Sequence, residues 1–174
     1  EKIIVYQSNR KKIGDFAVKN QFFGGAFSLD RMTWIKPNFL WMMYRNGWGT
    51  KEGQEFVLAI HLKRNAFKRY LENAVYSSYN DDLGVSREEW QHQVKESSVR
   101  LQWDPDHDPF GNKLERRAIQ IGLRNDFIKS FSKEDLILIE DISEFVREQH
   151  QFILNDDIDN LIIPEEKPLL FDDD

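Results

Sequence analysis

The stretch Arg31–Gly49, RMTWIKPNFLWMMYRNGWG, constrains the fold more than any other. It gathers Trp34, Trp41, Trp48 and Tyr44 around three cations, Arg31, Lys36 and Arg45. Such a run is too apolar for a surface loop and too cationic for plain core. A cation enters an apolar site at heavy cost unless a counter-charge meets it. Two readings follow. In the first, each cation pairs with a carboxylate such as Asp104 or Glu115, and the aromatics are core. In the second, the stretch builds a pocket for an anionic, aromatic ligand such as a nucleotide, with guanidinium forks on phosphate and rings stacked on the base.

The local pattern gives the stretch a shape. Arg31 to Ile35 reads as extended, with Arg31, Thr33 and Ile35 on one side and Met32, Trp34 and Lys36 on the other. Pro37 suits the first turn of a helix. Phe39 to Tyr44 is apolar nearly all round and predicts a buried helix, with Gly47 as its stop. A strand running into a helix N-terminus is a usual place to hold an anion, and Lys36 sits at that junction.

Around this corner the chain alternates strands and helices. Ile3 to Gln7 predicts a buried strand, and Ser8 or Asn9 a cap for a helix with Ile13, Phe16 and Ala17 on one stripe. Glu55 to Arg64 is a strand with Phe56, Leu58, Ile60 and Leu62 on one face. Asn65 caps a helix carrying Phe67, Tyr70, Leu71, Ala74 and Val75. Ser86 and Glu89 form a capping box for a helix through Glu96. Ser98 to Trp103 is a strand with Val99, Leu101 and Trp103 on one face and Arg100, Gln102 and Asp104 on the other; the prolines of Asp104–Pro109 should end it. Arg117 to Leu123 sets Ile119, Ile121 and Leu123 against Gln120. A short helix over 125–131, a strand over 136–142 and an amphipathic helix over 143–154 complete the pattern. The expected fold is a single α+β domain over 1–174, with a mixed, mostly antiparallel sheet flanked by helices and an acidic C-terminal segment over 155–174.

Composition narrows the function. The 174 residues contain no cysteine, which removes disulfides, thiol catalysis and thiolate metal sites. No apolar run is long enough to span a bilayer and no signal pattern opens the chain, so no membrane partner and a cytoplasmic location are expected. Residues 1–70 hold 13 Lys and Arg against 5 Asp and Glu, while the remainder holds 11 against 25. A basic first part suits phosphates, although both parts also suit ordinary solvated faces. Phosphate-loop, dinucleotide-fingerprint, nucleophile-elbow and zinc-protease signatures are absent. The four histidines are scattered, and prolines break the calcium-loop pattern at Asp104, Asp106 and Asp108, so no metal site is expected.

Polar strand ends are the second signal. Tyr6–Gln7, Gln102–Trp103–Asp104 and Arg117–Gln120 all lie where strands open into loops, a frequent position for sites. Their convergence with Arg31–Gly49 would make one cleft. The readings in play are a nucleotide-binding enzyme, a non-catalytic module for single-stranded RNA, and a scaffold whose acidic segment binds a basic partner.

The segments RMTWIKPNFLWMMYRNGWGTK, QWDPD and RRAIQIGL resemble the family known as the domain of unknown function 4291. Its pattern reads VYQ-A, RMTWIKPSFLWMMYRSGW, QWDPER and R-x-IQIGL, and the likeness runs from Val5 to the PEEKP segment at Pro164. Asn38 and Asn46 stand where Ser is usual, and Asp106–His107 where Glu–Arg is usual. The order of elements in turn looks like the ADP-ribosyltransferase fold. That likeness implies a cofactor-gripping residue at the end of the first strand (Tyr6–Gln7), a second strand leading into a helix under nicotinamide (Arg31–Tyr44), and a late strand whose catalytic Glu or Gln would be Gln120. It implies NAD as ligand and a nucleic acid or protein as acceptor. Arg31 and Arg45 would hold pyrophosphate, Trp34 and Tyr44 would stack on rings, and Gln7 and Gln120 would orient ribose or acceptor. Thr33, Lys36, Trp48, Gln102, Trp103, Asp104 and Arg117 would complete the walls.

Overall fold

The computed structural model describes residues 1–166; Lys167 to Asp174, including the Leu169–Phe171 end of the expected acidic segment, lie outside the described residues. Strand β1 (Lys2–Asn9) leads into α1 (Lys11–Asn20), and β2 (Thr33–Ile35) into α2 (Phe39–Asn46). Strand β3 (Phe56–Lys63) runs straight into α3 (Arg64–Glu72), followed by a short β4 (Ala74–Tyr76) and α4 (Arg87–Glu96). A long ribbon, β5 (Val99–His107) with β6 (Lys113–Leu123), precedes α5 (Asp126–Ser132), β7 (Leu136–Asp141) and α6 (Ser143–Leu154).

The strands form two sheets, ordered β1–β3–β7 and β2–β6–β5–β4. Every pairing is antiparallel except β4 with β5. The main core lies between them. Val5, Leu58, Ile60 and Leu62 from the first sheet face Ile35, Val99, Ile121 and Leu123 from the second, with Ala17, Phe67, Tyr70, Ile128 and Phe131 supplied by α1, α3 and α5. The first sheet buries its other face as well: Tyr6, Val57 and Ala59 lie under Phe39, Leu40, Met42 and Met43 of α2, Trp48, and Val146 of α6. Burial on both faces explains why β3 reads as the near-continuous apolar run FVLAIHL. Trp48 reaches this second core with φ 57°. A left-handed Trp backbone costs of order 1 kcal/mol, which the buried indole offsets. Among the described residues no helix is long and apolar enough to cross a membrane, and no cluster of three His, Asp or Glu can hold a metal ion.

Several boundaries depart from expectation, each for a local reason. One mixed sheet was expected and two are present, because β2 leaves the second sheet after Ile35 and Lys36 bridges to Tyr6 of the first. Neither Ser8 nor Asn9 caps α1; Arg10 is the cap, and the Asn9 amide donates to Gln7. Pro37 lies before α2, whose cap is Asn38. Asn65 lies inside α3, and Ala74 and Val75 leave the helix to pair with Val99 and Arg100. Strand β5 runs on through Pro105 to His107. Among the described residues β6 alone is hydrogen-bonded to that part, so Pro105 sits on an edge, where a missing N–H is harmless. A register shift between Pro105 and His107 absorbs the rest of the irregularity.

Candidate functional site

Arg31–Gly49 is the seam between the sheets. Thr33, Trp34 and Ile35 pair with Leu123, Gly122 and Ile121 of β6. One residue later, Lys36 N–H donates to Tyr6 O at 3.2 Å and Tyr6 N–H donates to Lys36 O at 2.7 Å. The chain then turns at Pro37. The next β6 donor, Ile119 N–H, is met by the Asn38 side chain at 3.1 Å. The fork where the sheets part is filled by polar side chains. The Gln7 amide donates to Thr33 Oγ1 at 2.6 Å and to Trp34 O at 3.0 Å, Lys36 Nζ donates to the same Trp34 O at 3.1 Å, and the buried Asn46 amide donates to Ser8 Oγ at 2.6 Å.

The register of the second sheet assigns its open face. Trp34 lies opposite Gly122, which lies opposite Arg100; Gln120 lies opposite Gln102, and Ala118 opposite Asp104. Cross-strand partners share a face, so Trp34, Arg100, Gln102, Asp104 and Gln120 stand on one side, away from the Ile121–Leu123 core. Gly122 is needed beneath them: a Cβ there would lie 2.5 Å from Met32 Sδ and 3.0 Å from the Trp34 ring. Asp104 is gripped by two amides, Gln102 at 3.1 Å to Oδ1 and Gln120 at 3.1 Å to Oδ2. The result is a partly buried carboxylate in fixed orientation.

Cations flank this face without counter-charges among the described residues. Burial first, and then Arg45, pull the Lys36 ammonium down to about 8. Burial, and then Arg124, likewise lower the Arg100 guanidinium, whose Nε is buried without a hydrogen-bond partner. Among the described residues no carboxylate hydrogen-bonds or ion-pairs with Lys36, Arg45 or Arg100. Of the two opening alternatives for Arg31–Gly49, the carboxylate pairing is therefore absent among these residues. Arg31 is exposed and makes no described contact either.

The α2 N-terminus, the expected anion position, is met from within the chain. Glu166 of the PEEKP segment accepts the Phe39 N–H. Burial raises the Glu166 carboxyl above its usual range, Asp106 adding to the rise, while the Phe39 N–H, Arg116 and Asn38 act against it. Arg116 in turn donates to the buried Asp106 at 2.9 Å.

The remaining expected site residues divide. Tyr6 and Trp48 are buried in the second core; Tyr6 packs edge-on against Phe39, and its hydroxyl is pushed up to about 12 by burial, then Glu166 and Glu140. Tyr44 is half exposed and stacks on His107 with centroids 3.6 Å apart. Trp103, Asp104 and Arg117 line an open cleft of about 620 Å³ on the β5–β6 ribbon, with Pro105, Lys113, Leu114 and Glu115. Gln7, Arg31, Tyr44 and Gln120 are not among its lining residues. The structure thus joins Gln102, Asp104 and Gln120 by hydrogen bonds on the open face, while Gln7 meets the Thr33 hydroxyl, on the opposite side, and the Trp34 backbone carbonyl.

Sequence reasoning gave no site role to Arg100, Asn38 or Glu166. Arg100 was legible in principle, since it alternates with Gln102 and Asp104 along one strand face. Asn38 and Glu166 carry no local signal, because their partners are 81 and 127 residues away.

Of the curated proteins, none matches this chain. A family model covers residues 1–169, nearly all of it, and spans the seam, the ribbon and the PEEKP segment alike. The chain belongs to the family described as Domain of unknown function (DUF4291).

Proposed function

We propose that the protein is a nucleotide-binding enzyme that holds NAD on the open face of the second sheet and transfers its ADP-ribose unit to a nucleic acid or protein. One observation carries this reading. Trp34 is flanked by Lys36 with Arg45 and by Arg100, whose neighbour is Arg124; these like charges meet no carboxylate among the described residues. Partly buried cations of one sign around an aromatic ring suit a diphosphate joined to ring systems. The element order of the ADP-ribosyltransferase fold supports the same reading: Gln7 lies near the end of β1, β2 leads into α2, and β6 carries Gln120.

Each residue then has a task. Lys36 and Arg100 neutralise the pyrophosphate, and Trp34 offers a ring face. Asp104, oriented by Gln102 and Gln120, sets negative charge beside the sugar carbon as positive charge develops there. NAD supplies the chemistry of the leaving group: the bond from ribose C1′ to the nicotinamide nitrogen breaks, and nicotinamide departs with the electron pair. The acceptor nucleophile bonds C1′ and releases its proton to Asp104 or water. Gln7, expected to orient ribose, supports the fork instead, through Thr33 and Trp34.

Calorimetry with NAD, followed by assay of nicotinamide release, tests the reading. Wild type should bind, Lys36→Met and Arg100→Ala should each lose at least tenfold in affinity, and Asp104→Asn should bind but release no nicotinamide. No heat of binding at millimolar NAD would overturn it.

A further inference from the structure

The cleft on the β5–β6 ribbon has chemistry that the nucleotide reading leaves unused. Trp103 is 48% exposed, although a bare indole is costly in water. Arg117 and Lys113 stand beside it, both exposed, and Glu115 lines the same space. None of these three is ion-paired among the described residues. The other charges toward the ribbon tip are committed. Arg116 is held by Asp106, and Asp108 accepts from Asn112 and Phe110 to shape the tip. Free charge at the cleft is therefore two cations against Glu115, with Asp104 at the inner end held by its two amides. Phe110, at the tip of the same ribbon, is 50% exposed.

We infer that this cleft binds an unpaired nucleotide of a single-stranded nucleic acid. Three observations favour that occupant over a peptide or a free mononucleotide. The exposed indole gives a stacking face that any base fits. Arg117 and Lys113 give the backbone phosphates their counter-charge, a role that a basic peptide would meet with repulsion. A second exposed ring further along the ribbon offers a further stacking platform, which a strand uses and a mononucleotide does not. Glu115 is left as an acceptor for base N–H groups. Asp104 also lines this cleft, but its carboxylate is held by Gln102 and Gln120 on the open face, while Trp103 and Arg117 alternate to the other side, so the cleft and the nucleotide face lie on opposite sides of the ribbon. Binding of the strand does not rest on the NAD reading above.

Fluorescence anisotropy of a labelled oligouridylate of about 12 nucleotides, a length within the usual range for such grooves, tests the cleft in the full chain at low salt. Wild type should bind saturably and weaken steeply as salt is raised. Trp103→Ala and Arg117→Ala should each weaken binding at least tenfold, and Trp103→Phe should restore most of it. Both positions are solvent-facing, and a thermal melt confirms the fold of each variant. Absence of saturable binding, unchanged affinity in Trp103→Ala and Arg117→Ala, or tighter capture of an oligoarginine peptide than of the oligouridylate would overturn the inference. Oligouridylate binding lost in Trp103→Ala, with no NAD binding by wild type, keeps the strand site and removes the donor site. NAD binding without strand binding does the reverse.

Discussion

Two regions of this molecule mix aromatic rings with charge, and they settle that charge in opposite ways. In the first, between α3 and α5, Tyr70 is fully buried and its hydroxyl donates to Asp135. Asp135 also accepts from Arg69 at 3.0 Å and from the Ser130 hydroxyl at 2.8 Å. Burial, followed by the Asp135 hydrogen bond, lifts the Tyr70 hydroxyl far above its ordinary range. Every partner is supplied by the chain. In the second, around Trp34, the cations meet no carboxylate among the described residues; Lys36 stands beside Arg45 and Arg100 beside Arg124, and Lys36 and Arg124 donate to backbone carbonyls. The first pattern is what a fold needs for itself. The second is open on the side where an anion would sit, and that difference separates a structural network from a candidate site.

The largest effect should come from breaking the closed network. Asp135→Ala leaves the Tyr70 and Ser130 hydroxyls without their acceptor, and stability should fall by about 3 kcal/mol. Arg69 is 44% exposed at its side chain and turns to water, so its ion pair adds little to that loss. In a domain of this size such a loss lowers the melting point by roughly 10 °C. Denaturant unfolding measures it, and NAD affinity should hold. A cost below about 1 kcal/mol would erase the distinction between the two regions.

The open region should respond with the opposite sign. Lys36→Met removes a charge that is partly buried beside Arg45. Stability should be unchanged or rise by up to about 1 kcal/mol, while NAD binding is lost. The pH dependence follows from the same group. In the folded chain Lys36 releases its proton near 8, against 10.5 for an ordinary lysine. Between these values the unfolded chain holds more protons, so wild-type stability should rise with pH across that window. Below it the full cost of burying the ammonium is present. Anion binding needs the ammonium, so affinity for NAD should fall as pH passes 8, with proton uptake on binding. Lys36→Met should flatten the stability rise.

Much of this geometry was legible in advance, and the rest was not for a stated reason. Alternation along 98–104 and 117–123 correctly sets Gln102, Asp104 and Gln120 on the face opposite Val99, Ile121 and Leu123, because side-chain direction in a strand is local. The Ser86–Glu89 cap is present for the same reason, with Glu89 N–H donating to Ser86 Oγ at 3.1 Å. The switch of the chain from one sheet to the other at Lys36 is not local. It depends on Tyr6, thirty residues earlier, and no periodicity within 31–36 encodes it. The direction of Gln7 follows from that switch. A polar residue near a strand end reads the same whether it opens into a cleft or, as Gln7 does two residues inside the end of β1, plugs the fork between two sheets. Pro105 misled in a simpler manner: a proline ends a strand only where its N–H would be paired, and pairing depends on how far β4 extends.

The smallest effect belongs to Tyr44, and it tests how far the open region extends. Tyr44 entered the argument as a ring for the ligand. Its ring is parallel to His107, 7° from coplanar, so one face is already covered by the end of β5. Such a pair is worth about 0.5–1 kcal/mol, toward the lower end where the ring is half exposed. Tyr44→Ala should therefore cost about 0.5 kcal/mol in denaturant unfolding. His107 should account for that loss, so His107→Ala and the double variant should show a coupling energy of similar size. NAD affinity should stay within threefold of wild type, against the tenfold losses expected at Lys36 and Arg100. A larger loss of affinity in Tyr44→Ala would extend the ligand site across α2 to the base of the ribbon.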